Sequence, residues 1–152
     1  MNPTLISSIV LGVMGVFITI YYSHQNSKLA HDNMMKELFA EFNTRYDKLN
    51  DQLQIIAFRC PTSKLLNDAQ DSQELRKNVI DYFNLCAEEY YWYHHKKRID
   101  KLVWESWHRG MNYWYNNVES IRDLWDHEAK TSGMGSYYIT DNKGFFKLES
   151  LK

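Results

Sequence analysis

The stretch "WESWHRGMNYWYNNVESIRDLW", Trp104 to Trp125, spaces its large apolar residues with unusual regularity. Trp104, Trp107, Met111, Trp114, Val118, Ile121 and Trp125 fall alternately three and four residues apart, which is the period of one helix face and not of a strand. Four of the protein's five tryptophans lie on this stripe, so the expected element is a helix packed along its whole length. Asp100 stands where a helix start favours an acceptor side chain, and the helix is expected to run to Lys130. Gly110, beside the stripe, marks a place for a kink or a close helix contact.

Upstream, "HHKKRID" interrupts the pattern, and before it Val79, Phe83, Cys86, Tyr90 and Tyr93 share one helical face, with Leu75 and Tyr82 beside them. Asp71 and Glu74 have the spacing of a capping box at the start of that helix. Residues 73–130 therefore read as an antiparallel helical hairpin. Farther upstream, Met35, Phe39, Phe42, Tyr46, Leu49, Leu53 and Ile56 alternate steps of four and three between charged flanks, the seam of a coiled coil or of one bundle helix. The aromatic seam residues favour the bundle. Residues 23–59 form this juxtamembrane helix, and Pro61 ends it because proline cannot continue the backbone ladder. Residues 60–72 are a polar connector with room for one short helical turn.

The N-terminus is a different material. "LISSIVLGVMGVFITIYY", Leu5 to Tyr22, holds no charge over 18 residues, about 27 Å as a helix and close to the thickness of a bilayer core. "MNPT" lacks the basic residues of a signal peptide, and "TIYYSHQN" has no small-residue cleavage site but two tyrosines suited to a membrane interface. The expectation is an uncleaved transmembrane helix over 5–22 with an extracytoplasmic tail of residues 1–4. Lys28 and Lys36, with His24 and His31, follow the span, so the body belongs on the cytoplasmic side of a bacterial inner membrane. Ser8, Gly12, Gly15 and Thr19 line one face of the span and are candidates for self-association into a homo-oligomer.

Elsewhere 18 basic residues balance 19 acidic ones and no run of like charge occurs, which argues against a nucleic-acid groove. A mean hydropathy of -0.57 despite the anchor makes the remainder a water-compatible body. Cys60 and Cys86 neither require nor exclude a disulfide, and reduced thiols are the simpler reading. At the other end, "TSGMGS" reads as a loop, and "YYITDNKGFFKLE" as a small hairpin or an extended tail folded onto the helices, within residues 131–152. The fold class expected is all-α: a transmembrane helix, a long amphipathic helix, a helical hairpin and this small C-terminal hairpin or tail.

Three constellations carry chemistry. Glu89 borders the apolar face of its helix, where Tyr90, Tyr93, Trp107 and Trp114 supply rings, and the set can form either a buried hydrogen-bond network or a cleft for a cationic or planar ligand. Glu105 and His108 have the Glu-x-x-His spacing of di-iron bundles, but no second such pair exists, so no metal is expected. Arg122 to His127, "RDLWDH", resembles the R-x4-6-H motif of HEPN-type ribonucleases, which implies a phosphate-holding Arg122 and an acid-base His127. No P-loop, Rossmann glycine run, cysteine cluster or nucleophile elbow is present, and no cofactor is expected.

Taken together, "MMKELFAEFNTRYDKLND", "VIDYFNLCAEEYYWYHHKKRI", "WESWHRGMNYWYNN" and "SYYITDNKGFFK" resemble a bacterial family of uncharacterised function. Its members carry one N-terminal span and a helical cytoplasmic domain. The resemblance implies architecture and location and supplies no catalytic residues. The function expected is a membrane-anchored, self-associating interaction, scaffold or sensing module without catalysis, the alternative being an anchored HEPN-like ribonuclease or defence effector.

Overall fold

The computed structural model describes residues 2–131, 133–140 and 145–146, and the side chains of 4–6, 8 and 9 lie outside it. Among the described residues five α-helices follow one another: α1 (Pro3–Arg59), α2 (Ser63–Asp68), α3 (Ser72–His94), α4 (Lys101–Asn117) and α5 (Glu119–Thr131), then a 3-10 turn (Met134–Tyr137). The helical class expected from periodicity is the observed one. Two compact units are distinguished, Met1–Phe39 and Ala40–Lys152.

The first unit is the N-terminal part of α1. Its described apolar side chains from Val10 to Tyr22 are all exposed. On the small-residue face the Thr19 hydroxyl donates back to the Gly15 carbonyl at 2.8 Å, so the helix satisfies that hydroxyl internally. A Cβ built at Gly12 or Gly15 would meet nothing within 4 Å, which leaves this face open. Ser8, the first residue of the expected association face, lies outside the described side chains. Among the described residues no helix is long and apolar enough to cross a membrane.

The second unit holds the core. Phe42, Leu53 and Ile56 are buried along α1, with Tyr46 and Leu49 half-buried between them. The Cys60 amide makes a last helical bond to the Ile56 carbonyl at 2.8 Å before Pro61 stops the helix as expected. The expected capping box at the next start does not form. Asp71 occupies the cap position but makes no cap bond, because Arg59 takes both its carboxylate oxygens at 2.9 and 3.0 Å. That pairing also holds the Asp71 carboxyl below its ordinary range. Asp100 likewise precedes α4 without a side-chain cap bond.

The expected single helix from Asp100 to Lys130 is two helices. Val118 adopts an extended backbone (φ -123°, ψ 104°) between α4 and α5, while α4 runs unbroken through Gly110. The break is held by the connector: the Ser120 amide donates to the Pro61 carbonyl at 3.1 Å, and the Ser120 hydroxyl donates to the Cys60 carbonyl at 2.6 Å. Two carbonyls left without helical partners after α1 thus find donors at the start of α5. Ser120 is 1% exposed, so water cannot replace the lost donor. Ser120→Ala is expected to cost about 1–2 kcal/mol, read as a lower urea midpoint with an unchanged slope.

After α5 the chain returns over the helices. Gly133 has φ 76°, a conformation that disfavours side chains, and Tyr137 and Ile139 are buried beyond it. Phe145 and Phe146 enter the core, ring to ring with Trp125 at 4.8 and 4.9 Å. Tyr115 stacks on Phe146 at 5.0 Å and 7°. No strand occurs among the described residues. The expected hairpin turn, Asp141 to Gly144, lies outside them.

Candidate functional site

Three helices of the second unit meet around a cavity of about 190 Å³. Asn43 and Tyr46 come from α1; Tyr82, Leu85, Cys86 and Glu89 come from α3; Ser106, Trp107, Gly110 and Met111 come from α4. The α3 and α4 sets are each spaced by three or four residues, so each helix presents one face to the same space. Ser106 is exposed and Asn43 half-buried, which puts the mouth between them, while Tyr82 and Cys86 at 1% exposure form the floor.

The rings are fixed by polar tips and neighbours. Trp114 Nε1 donates to the Tyr46 hydroxyl at 3.0 Å, and the Tyr82 hydroxyl donates to the Met111 carbonyl at 3.4 Å. Trp107 meets Phe42 edge to face at 5.5 Å. Gly110 is not the site of a tight helix contact, because a Cβ there would meet nothing within 4 Å. Its missing side chain leaves part of the cavity open.

Glu89 is the charged group of this wall and is 5% exposed. Its carboxyl receives no hydrogen bond among the described residues, although every fully enclosed side-chain nitrogen or oxygen there has a partner. Glu89 is one of the residues that line the cavity. Burial pushes the Glu89 carboxyl from 4.5 up to about 8, against the pull of Arg45 and with help from Glu88. Arg45 does not neutralise Glu89, since its guanidinium is committed to Glu88, with nitrogens 2.5 and 2.9 Å from the two oxygens. Burial also raises the Cys86 thiol well above its usual range, so this residue is an inert part of the floor. Both cysteines are free and buried.

Of the residues expected to line a cleft, Glu89 and Trp107 do so and three do not. Trp114 reaches the site only through Tyr46. Tyr90 and Tyr93 turn toward another aromatic cluster, where Tyr93 stacks on Trp104 at 4.9 Å and Tyr90 lies 4.2 Å from the His94 ring. Tyr46 and Tyr82 were legible only as packing positions, though Tyr82, Cys86 and Glu89 recur at helical spacing, which could have joined them.

The other constellations are dispersed. Glu105 pairs with Lys101 at 3.5 Å, whereas His108 Nε2 bonds the Phe145 carbonyl at 2.7 Å. Among the described residues no group of three or more possible ligands could hold a metal ion. Arg122 donates to the Asn116 carbonyl at 3.4 Å. His127, five residues on and so about 140° around α5, lines a separate open groove of about 360 Å³ with Ser63, Arg76 and Asp123. Arg122 is not among the residues that line this groove. No family model matches the chain, and no match was found among curated proteins or solved structures.

Proposed function

We propose that the protein is a membrane-anchored helical interaction or sensing module, self-associating and non-catalytic, whose body lies on the cytoplasmic side of a bacterial inner membrane. The observation that carries this reading is the exposed apolar surface of α1. From Val10 to Tyr22 every large apolar side chain is about half exposed or more, from Val13 at 49% to Leu11 at 69%. A helix meant for water keeps one polar face, and a helix apolar all round needs lipid or protein about it. With Leu5, Ile6 and Ile9 the sequence extends this run to the length of a bilayer core, and Lys28 and Lys36 set its orientation. The open Gly12, Gly15 and Thr19 face supports pairing of two such helices.

The alternative of an anchored HEPN-like ribonuclease rests on Arg122 and His127, and no observation brings them together. The anchor is tested by fractionating cells that express the full chain. Wild type is expected to stay with membranes through high salt and alkaline carbonate and to be released by detergent. Introducing lysines at Val13 and Val16 is expected to shift most of it to the soluble fraction. Carbonate release of the wild type would sink the reading.

A further inference from the structure

We propose that the Glu89 cavity is a binding site for a small organic cation, an ammonium, amidinium or guanidinium carried on a body of about one ring. The inference goes beyond membrane anchoring and stands on the cavity whether or not α1 enters a bilayer.

Charge comes first. Among the described residues the cation acting on Glu89 is Arg45, and its guanidinium forks onto both oxygens of Glu88. An ionised Glu89 is thus a buried carboxylate with no cation hydrogen-bonded to it among the described residues. From α1 it is faced by Arg45 and Tyr46, and from α3 by Tyr82, Cys86 and Glu88. The α4 wall contributes Ser106, Trp107, Gly110 and Met111, none of them ionisable in the working range. An anion would be repelled by an ionised Glu89, and a bare metal ion would find a single carboxylate.

Shape and lining agree with charge. A dry cavity of about 150 Å³ accommodates benzene, so about 190 Å³ suits one ring with a charged head. Tyr46, Tyr82 and Trp107 offer aromatic surface, which attracts cations and stacks on planar groups. Asn43 and Ser106, at the mouth, present polar side chains to a second N–H of the ligand. The arrangement is the usual one for a small-molecule site: apolar walls, few polar groups, one buried charge.

Binding is linked to a proton. With its carboxyl near 8, the empty site is mostly protonated at pH 7 and must release that proton to pair with a cation. Affinity therefore rises about tenfold per pH unit from 6 toward 8 and levels above it. About one proton leaves for each cation bound at pH 7.

The test titrates the full chain in detergent micelles with benzamidine, which stays charged across this range, by calorimetry at pH 6, 7 and 8 in buffers of different ionisation heat. One site is expected, with the stated pH slope and proton release, and with the neutral isostere benzamide at least tenfold weaker. Glu89→Gln is expected to lose tenfold or more of the benzamidine affinity and its pH slope. Gly110→Leu fills the cavity from α4 and is expected to abolish binding while thermal unfolding shows a folded body. Absence of benzamidine binding by wild type at millimolar concentration, equal binding of benzamide, or binding by folded Glu89→Gln within twofold of wild type would each overturn the proposal. Carbonate extraction of the same variants keeps this result separate from the anchor reading.

Discussion

Phe145→Ala is expected to lower the unfolding free energy by about 3–5 kcal/mol, although the residue lies seven positions from the C-terminus. The Phe145 side chain is fully buried, with its ring 4.8 Å from Trp125, 4.8 Å from Phe146 and 5.9 Å from Tyr90. Its carbonyl is held at 2.7 Å by His108 Nε2. Truncation opens a ring-sized void among rigid aromatic neighbours that cannot collapse into it. Thermal unfolding followed by near-ultraviolet circular dichroism should fall by roughly 10–20 °C. A loss below 1 kcal/mol would mean that the tail rests on the surface and is no part of the core.

Glu89→Gln is expected to act in the opposite direction, and only above acidic pH. The carboxyl titrates near 4.5 when unfolded and near 8 when folded, because burial disfavours its charge. Between those values the folded state holds the extra proton, so stability falls as pH rises from about 4.5 to 8. Full ionisation in the folded protein corresponds to a cost on the order of 5 kcal/mol. Glutamine keeps the shape and cannot ionise, so the variant should match wild type near pH 5 and exceed it by several kcal/mol at pH 8. Urea midpoints at pH 5, 6.5 and 8 measure this directly. Parallel pH profiles for the two proteins would show that Glu89 is better solvated than its surroundings imply. A bound cation would recover part of the same cost, which couples the stability profile to the ligand proposal.

How far the sequence could be read depended on the range of the forces involved. The seams of α1, α3 and the Trp104 to Trp125 stripe were legible because burial on one helix face leaves a period in the sequence, although in α1 the seam residue Phe39 is exposed and its neighbour Leu38 is buried. Pro61 was legible for a similarly local reason. The break at Val118 was not, since Trp114, Val118, Ile121 and Trp125 remain buried on both sides of it and the stripe keeps its rhythm. What breaks the helix is a pair of bonds to Cys60 and Pro61, some sixty positions away. The Asp71 cap failed in the same way, with Arg59 outcompeting the local amides for its oxygens.

The site divides along the same line. Glu89 could be placed beside an apolar face, and Trp107 on the next helix face, from spacing alone. That they share a cavity with Tyr46 and Tyr82, while Tyr90 and Tyr93 do not, depends on how three helices are rotated against one another.

The sequence by itself determined that this chain is helical, most of the apolar face of each long helix in the second unit, and that its first helix begins with an apolar run, because periodicity and transfer free energy are properties of residues in order. Only the tertiary structure decided where the last helix breaks, that the terminal phenylalanines complete the core, and that one glutamate keeps its proton near neutrality. Desolvation is a sum over neighbours from several helices, and no stretch of sequence contains that sum.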